Sequence, residues 1–310
     1  MVILFNVFNK KVNNIKSTFS IKDLENLTGI KAHTIRIWEK RYNLLQPDRS
    51  DTNIRNYDLS SLQKLLNVSY LNNFGYKISK ISLLDNSEIK ILVSEIAAKE
   101  STHSHAINAF KLSMLNFDQR LFYNTYNGLE KTKTFKEIFE DVFIPLLQEI
   151  GLLWQTDTIT TAHEHFLTSL IRQKILVLTE QIQSTFSDPN GKTYVLFLPD
   201  NEVHELGIMY LNYLIVSKGF HSIFLGQSVP IDGLVDLLEY YDKITFISFF
   251  TVKPEKEMIN DYMNEFESKI LKKEFINFKI LGRMTEYIDN ESLSDNIKIY
   301  KSINNVISDI

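Results

Sequence analysis

Leu198–Gly207 reads Leu-Pro-Asp-Asn-Glu-Val-His-Glu-Leu-Gly, and the flanks of this stretch decide the fold. Before it lies Thr193–Leu198 (TYVLFL), an apolar run that predicts a buried strand. After it comes Ile208–Val216 (IMYLNYLIV), whose apolar density and length suit a helix packed on a sheet. His204 is therefore expected on a strand-to-helix loop, at the carboxyl end of the first strand of an α/β unit. Open α/β sheets bind their ligands there. Glu202, His204 and Gly207 form an E-x-H-x-x-G pattern. An imidazole is a good ligand for a transition metal such as cobalt, and Gly207 lets a bulky planar ligand approach the backbone. The bland alternative is a solvated loop histidine.

Outward from this stretch, further strand runs alternate with helical ones. His221–Leu225, Lys243–Phe250, Phe278–Leu281 and Ile297–Tyr300 read as strands, and His204–Lys218, Ile231–Tyr241 and Pro254–Lys273 as helices. Strand and helix repeated in this way imply a doubly wound parallel sheet over residues 190–310. Upstream, Pro and Gly are scarce from Ser87 to Ser184 and apolar spacing is helical. Helical runs are expected at Ser87–Lys99, Ser104–Leu115, Asp118–Leu129, Lys136–Trp154 and Thr161–Gln183, five runs from which an all-α domain with a four-helix bundle is expected over residues 87–185. Trp154 is followed after nine residues by Glu164-His165. An aromatic, a carboxylate and an imidazole thus gather at one end of the bundle, either as a ligand surface or as an interface tryptophan beside ordinary polar groups.

The 310 residues suffice for two or three domains, and 44% hydrophobic with 23% charged residues is ordinary for a globular protein. The absence of cysteine excludes disulfides, thiolate-held zinc, iron–sulfur clusters and thiol nucleophiles. The apolar start, Met1–Asn9, lacks the flanks of a signal peptide, and no run reaches the roughly 18 apolar residues of a membrane span. A cytoplasmic protein that does not engage membranes is expected, with Met1–Thr18 as a poorly ordered tail. The net charge of −4 hides an asymmetry. From Lys16 to Lys80 there are 11 basic and 6 acidic residues, and the remainder carries 23 basic and 32 acidic. A basic head on an acidic body suits nucleic-acid binding by the head.

Within that head, Phe19–Leu27 begins with Ser20 as an N-cap and Asp23 placed to complete a capping box. Gly29 breaks the helix, and Lys31–Arg41 resumes with Ile35 and Trp38 on its inner side. A helix-turn-helix results. Tyr42–Tyr57 reads as a hairpin, or wing, before a third helix opening at Asp58. The run F-S-I-x-x-L-x-x-L-T-G-I-x-x-x-T-I-R-x-W-E-x-R-Y-x-L-L-x-P-x-R from Phe19, followed by N-x-R-x-Y from Asn53, resembles the winged helix-turn-helix of MerR-type transcription regulators. The resemblance bounds this domain at 19–85. It implies DNA contact by Thr34, Arg36, Lys40 and Arg41 of the recognition helix and by Arg49, Asn53, Arg55 and Tyr57 of the wing.

Taken together, winged helix-turn-helix, W-x9-E-H bundle and Rossmann-like sheet resemble the B12-dependent MerR-type photoreceptor repressors of carotenoid genes. The resemblance implies a multidomain α and α/β protein that binds operator DNA as a homo-oligomer, dimer or tetramer, and senses cobalamin, in particular adenosylcobalamin. It implies Trp154, Glu164 and His165 on the upper side of the corrin, His204 as the lower cobalt ligand, and Glu202 orienting its ring. Gly226, Ser228, Val229, Pro230, Ser248 and Gly282 would line the nucleotide tail. Two positions depart from the family. Gln155 stands where light-sensing members have a histidine, and Arg283 follows Gly282 where a second glycine is usual. These departures sustain an alternative, a regulator with a degenerate pocket independent of cobalamin. A corrinoid methyl-transfer module is a further alternative, opposed by the DNA-binding motif. No nucleophile–base pair, phosphate loop or paired-carboxylate site is apparent, so no enzyme is expected.

Overall fold

Apolar residues at helical spacing build the first half of the chain, and runs of buried residues build the strands of the second. The computed structural model describes residues 18–49, 53–99, 103–156, 158–183, 191–289 and 293–310. The expected tail lies outside them except for Thr18, which opens a strand. The chain divides into two compact units, breaking between Leu167 and Thr168 rather than at the expected 185–190 boundary.

In the first unit, β1 (Thr18–Phe19) precedes α1 (Ile21–Thr28) and α2 (Ala32–Tyr42). Ser20 caps α1 through the expected capping box with Asp23, and Gly29 ends the helix at φ +76°. The wing pairs β2 (Asp48–Arg49) with β3 (Arg55–Asp58), and β1 pairs with the other side of β3. Asp58 then caps α3 (Leu59–Asn73). A short α4 (Ile78–Ile81) leads to α5 (Asn86–Lys99), α6 (His103–Asn116) and α7 (Gln119–Glu130). The helix expected over Lys136–Trp154 is composite. α8 (Phe135–Ile138) passes through a π-helical turn, Phe139–Phe143, into α9 (Ile144–Gln155). Pro145 supplies the reason: it lacks an N–H, and its ring crowds the carbonyl four residues back, so the turn widens. α10 (Thr161–Gln183) matches the expected helix at both ends and carries the chain into the second unit.

The second unit runs β4 (Thr193–Phe197), α11 (Leu206–Ser217), β5 (His221–Gly226), α12 (Asp232–Val235), α13 (Leu237–Tyr240), β6 (Ile244–Phe249), α14 (Ile259–Ile270), β7 (Ile276–Leu281), β8 (Ile297–Ile299) and α15 (Ile303–Ser308). The last helix has no counterpart in the sequence expectations, and the single helix expected over Ile231–Tyr241 is two short ones. Gly233 and Asp236, both poor helix formers, lie in that stretch. All five strands are parallel, in the order β5-β4-β6-β7-β8. Alternate residues feed opposite faces. Tyr194, Leu196 and Ile247 pack with Ile208, Leu211 and Ile215 of α11, while Val195, Phe197, Phe246 and Phe278 pack with Met263, Phe266 and Ile270 of α14. The Phe266 and Phe278 rings stack at 3.8 Å, and burying each such side chain contributes about 2 kcal/mol.

Because strand order reverses at β4, its carboxyl end and that of β6 flank the crevice where such sheets bind ligands. Ser248, fully buried on β6, lies between Phe197 of β4 and Ile280 of β7. Just beyond β7, Gly282 has φ +112°, and a Cβ there would lie 2.4 Å from the Phe250 carbonyl oxygen. Gly282→Ala is therefore expected to destabilise the protein by about 3 kcal/mol or more in urea unfolding. A loss below about 0.5 kcal/mol would contradict this close approach.

Candidate functional site

The loop between β4 and α11 is built around one buried carboxylate. Glu202 Oε1 accepts from the backbone N–H of Val203 (2.9 Å) and His204 (3.0 Å), and from His204 Nδ1 (2.5 Å). Its Oε2 accepts from the N–H of Val252 (2.6 Å) and Lys253 (2.9 Å), beyond the end of β6. Glu202 is 1% exposed. Burial alone would push its carboxyl up, but the His204 ring and these backbone donors outweigh that and hold it at about 2. α14 begins at Ile259 rather than at the expected Pro254.

His204 is 6% exposed, and with Nδ1 bonded to the carboxylate its proton resides there. Its Nε2 is buried and has no hydrogen-bond partner. A buried imidazole nitrogen with a lone pair and no donor is costly unless something completes it. This oriented, unpartnered nitrogen would suit a bond to a metal, with Glu202 in the supporting role that metal-bound histidines need. Among the described residues, no three His, Cys, Asp or Glu side chains gather to cage a bare ion. A single imidazole instead suits a metal whose other positions are already filled, as in a corrin.

The neighbouring turn is fastened to the same loop. Ser228 Oγ donates to Asp200 Oδ1 (2.8 Å) and accepts from the Asn201 N–H (3.0 Å). The Gln227 side-chain amide donates to the Val203 carbonyl (3.2 Å), and the Val229 N–H to that of Leu198 (2.9 Å). Gly226 at φ +80° and Ser228 at φ +52° give the turn its shape, with Pro230 just after it. Ser248 Oγ, like His204 Nε2, is buried without a partner. Gly207 has a different neighbour from the one expected: a Cβ there would meet the Phe249 ring at 3.1 Å, so the residue's smallness serves packing inside the domain. Arg283 is exposed rather than filling the space beside Gly282.

In the first unit, Trp154 lies half-buried in the last turn of α9, Glu164 in the first turn of α10 and His165 just after it. His165 Nε2 approaches Glu164 Oε2 at 3.4 Å. Gln155 ends α9, and its side chain lies outside the described residues.

The DNA-facing set divides. Arg36, Lys40, Arg41 and Arg49 are exposed and Thr34 half-exposed, and Arg49 donates to Asn53 Oδ1 (2.5 Å) within the wing. Tyr57 departs from expectation. Its ring is 1% exposed and its hydroxyl donates to Glu39 Oε1, while Arg55 Nε donates to Glu39 Oε2 (3.1 Å). The reason is Glu39 of α2: its side chain is 9% exposed, so its carboxylate needs donors, and the wing supplies them. Tyr57 therefore fastens wing to recognition helix. Trp38, expected in the core, is half-buried. Glu39 was visible inside the W-E-x-R-Y run, but its partners lie 16 and 18 residues away.

Residues 19–88 match the family described as MerR HTH family regulatory protein, and residues 106–179 match the B12 binding domain. The HTH-type transcriptional repressor CarH of Myxococcus xanthus is 27% identical over 226 residues, 70% of this chain and 73% of that protein. The HTH-type transcriptional repressor CarA of the same organism is 23% identical over 218 residues, 70% of this chain and 71% of that protein. The monomethylamine corrinoid protein of Methanosarcina barkeri superposes with a TM-score of 0.53 at 10% identity, covering 67% of this chain and 97% of that one, a likeness of fold.

Glu202 also fixes a pH dependence. Its folded value of about 2 lies below its ordinary 4.5, so its contribution is complete above pH 4.5 and is lost as pH falls towards 2. The shift corresponds to on the order of 3 kcal/mol. Urea unfolding of Glu202→Gln should show that loss at pH 7 and a shrinking difference from the native protein below pH 4.5. A difference that stays constant down to pH 2.5 would count against the clamp.

Proposed function

From a chain that joins a MerR-type helix-turn-helix to a B12 binding domain, and that is homologous to the CarH and CarA repressors, we propose a transcription regulator that represses by binding operator DNA and answers to cobalamin. The observation that carries this reading is the buried Nε2 of His204, without a partner, beside an Nδ1 held by Glu202. His204 binds the cobalt, and Glu202 fixes the tautomer and the direction of its ring. The Gly226–Pro230 turn, Ser248 and Gly282 hold the nucleotide tail, with the buried Ser248 hydroxyl offering an unspent hydrogen bond. Trp154, Glu164 and His165 are the bundle residues that would contact the cobalamin, in line with the W-x9-E-H spacing. Cobalamin bound there would supply a cobalt able to exchange ligands.

On the DNA side, Arg36, Lys40 and Arg41 present three cations from one exposed helix face, suited to phosphates and guanine edges. Arg49 and Asn53 act from the wing, and Arg55 and Tyr57 hold that wing through Glu39. Repression proceeds by linkage: a ligand that binds one assembly of a dimer or tetramer better than another changes how many heads engage DNA together. The reading assigns no catalysis, and adenosylcobalamin is its preferred form. Among the described residues no helix is long and apolar enough to cross a membrane.

The test is the visible spectrum of the purified protein after dark incubation with adenosylcobalamin and desalting, repeated after illumination. Corrin bands should co-elute with the native protein and fall at least ten-fold with His204→Ala, and operator gel shifts should change on loading. Absence of retained colour in the native protein would overturn the reading in favour of a degenerate pocket. A spectral change on illumination would show photochemistry with Gln155 in place of histidine.

A further inference from the structure

The helix-turn-helix and the bundle share one compact unit, and part of their contact is polar. Asn26 of α1 donates from Nδ2 to Thr158 Oγ1 (3.2 Å), across 132 residues of sequence. Thr158 is fully buried, and its hydroxyl lies 2.9 Å from that of Thr156. Thr156 Oγ1 in turn donates to the carbonyls of Leu152 (3.0 Å) and Leu153 (3.1 Å) in the last turn of α9. With the Thr156 proton spent there, the chain has one direction: the Asn26 amide donates to Thr158, and Thr158 donates to Thr156. The Thr158 N–H also bonds the Leu153 carbonyl (2.9 Å), and the Thr160 N–H bonds His163 Nδ1 (3.1 Å). Thr156 and Thr158 are thus tied to the end of α9 beside Trp154, and Thr160 to the start of α10 beside Glu164.

A second tie runs parallel. Lys111 of α6 is 5% exposed, and its ammonium donates to the Leu27 carbonyl near the end of α1 (3.2 Å) and to Glu149 Oε2 of α9 (2.7 Å). Between these ties lies a cavity of about 500 Å³, whose walls include Asn26, Gly29, Asn73, Asn108, Lys111 and Thr156. Leu27, Ile107, Leu152 and Leu153 complete its walls, and beside it α1 meets the bundle through these two sets of oriented hydrogen bonds. Contacts of this kind open at low cost and depend strongly on direction.

We propose that Asn26–Thr158, with Lys111 bridging Leu27 and Glu149, is a latch through which Thr156, Thr158 and Thr160, between Trp154 and Glu164, set the position of α1 and hence of the DNA-binding head. The relay rests on the reading of Trp154, Glu164 and His165 as cobalamin contacts, whereas the latch itself does not. A ligand that shifts Trp154 or the first turn of α10 moves Thr158 with it, and the head follows.

The test uses the full chain with Asn26→Ala, Thr158→Val, the double variant, and Thr158→Ser, which keeps the hydroxyl. Without cobalamin, each of the first two should raise amide hydrogen exchange across α1 about ten-fold, the double variant no further, and Thr158→Ser much less. With adenosylcobalamin, Thr158→Val should keep native corrin absorption, while the ratio of operator affinities with and without ligand falls towards one. Unchanged exchange in the single variants, or additive effects in the double variant, would overturn the latch. A native affinity ratio retained in Thr158→Val would overturn the relay. If the native protein shows no cobalamin effect on DNA binding, the sensing reading and the relay fail together, and the exchange data still decide the latch.

Discussion

A buried carboxylate with no cation beside it is expensive, and the loop at the carboxyl end of β4 is arranged around one. Glu202 is neutralised by four backbone N–H groups and one imidazole N–H, drawn from its own loop and from the end of β6. Removing any donor leaves charge out of water without compensation. The same bonds tie the two strand ends that flank the crevice and set the plane of the His204 ring. The His204 Nε2 is thus already oriented, and any bond it made to a ligand would not bear the cost of ordering the ring.

A second carboxylate performs the corresponding task in the head. Glu39 collects the Tyr57 hydroxyl and the Arg55 guanidinium, so recognition helix and wing are joined through one side chain. The exposed cations of α2 and of the wing are then held at a fixed separation, which contacts to DNA phosphates require. In both places the residue that organises the site is distinct from the residues that would touch the partner.

Much of this was legible in the sequence because local physics announces itself. The capping box at Ser20, the Gly29 break, the apolar strand runs and the limits of α10 depend on residues within a few positions of one another. Glu202 and His204 are two residues apart, so their pairing could be read as well. What escaped depends on distant partners. β1 exists because two residues find β3, some 40 positions on. Tyr57 carries the look of a DNA contact, and its burial follows from Glu39. The tightness at Gly207 comes from Phe249, and the Asn26–Thr158 bond spans 132 residues. Hydrophobic periodicity carries no record of such pairings.

The π-helical turn at Phe139–Phe143 bears on how this protein can be compared with others. An α-helix rotates about 100° per residue, so one additional residue in a turn changes the azimuth of everything after it. The direction of the Trp154 indole is therefore encoded in the number of residues between Phe135 and the end of α9, independently of which residues they are. Two chains could share every motif in this region, differ by a single deletion in that turn, and present their tryptophans to different surroundings.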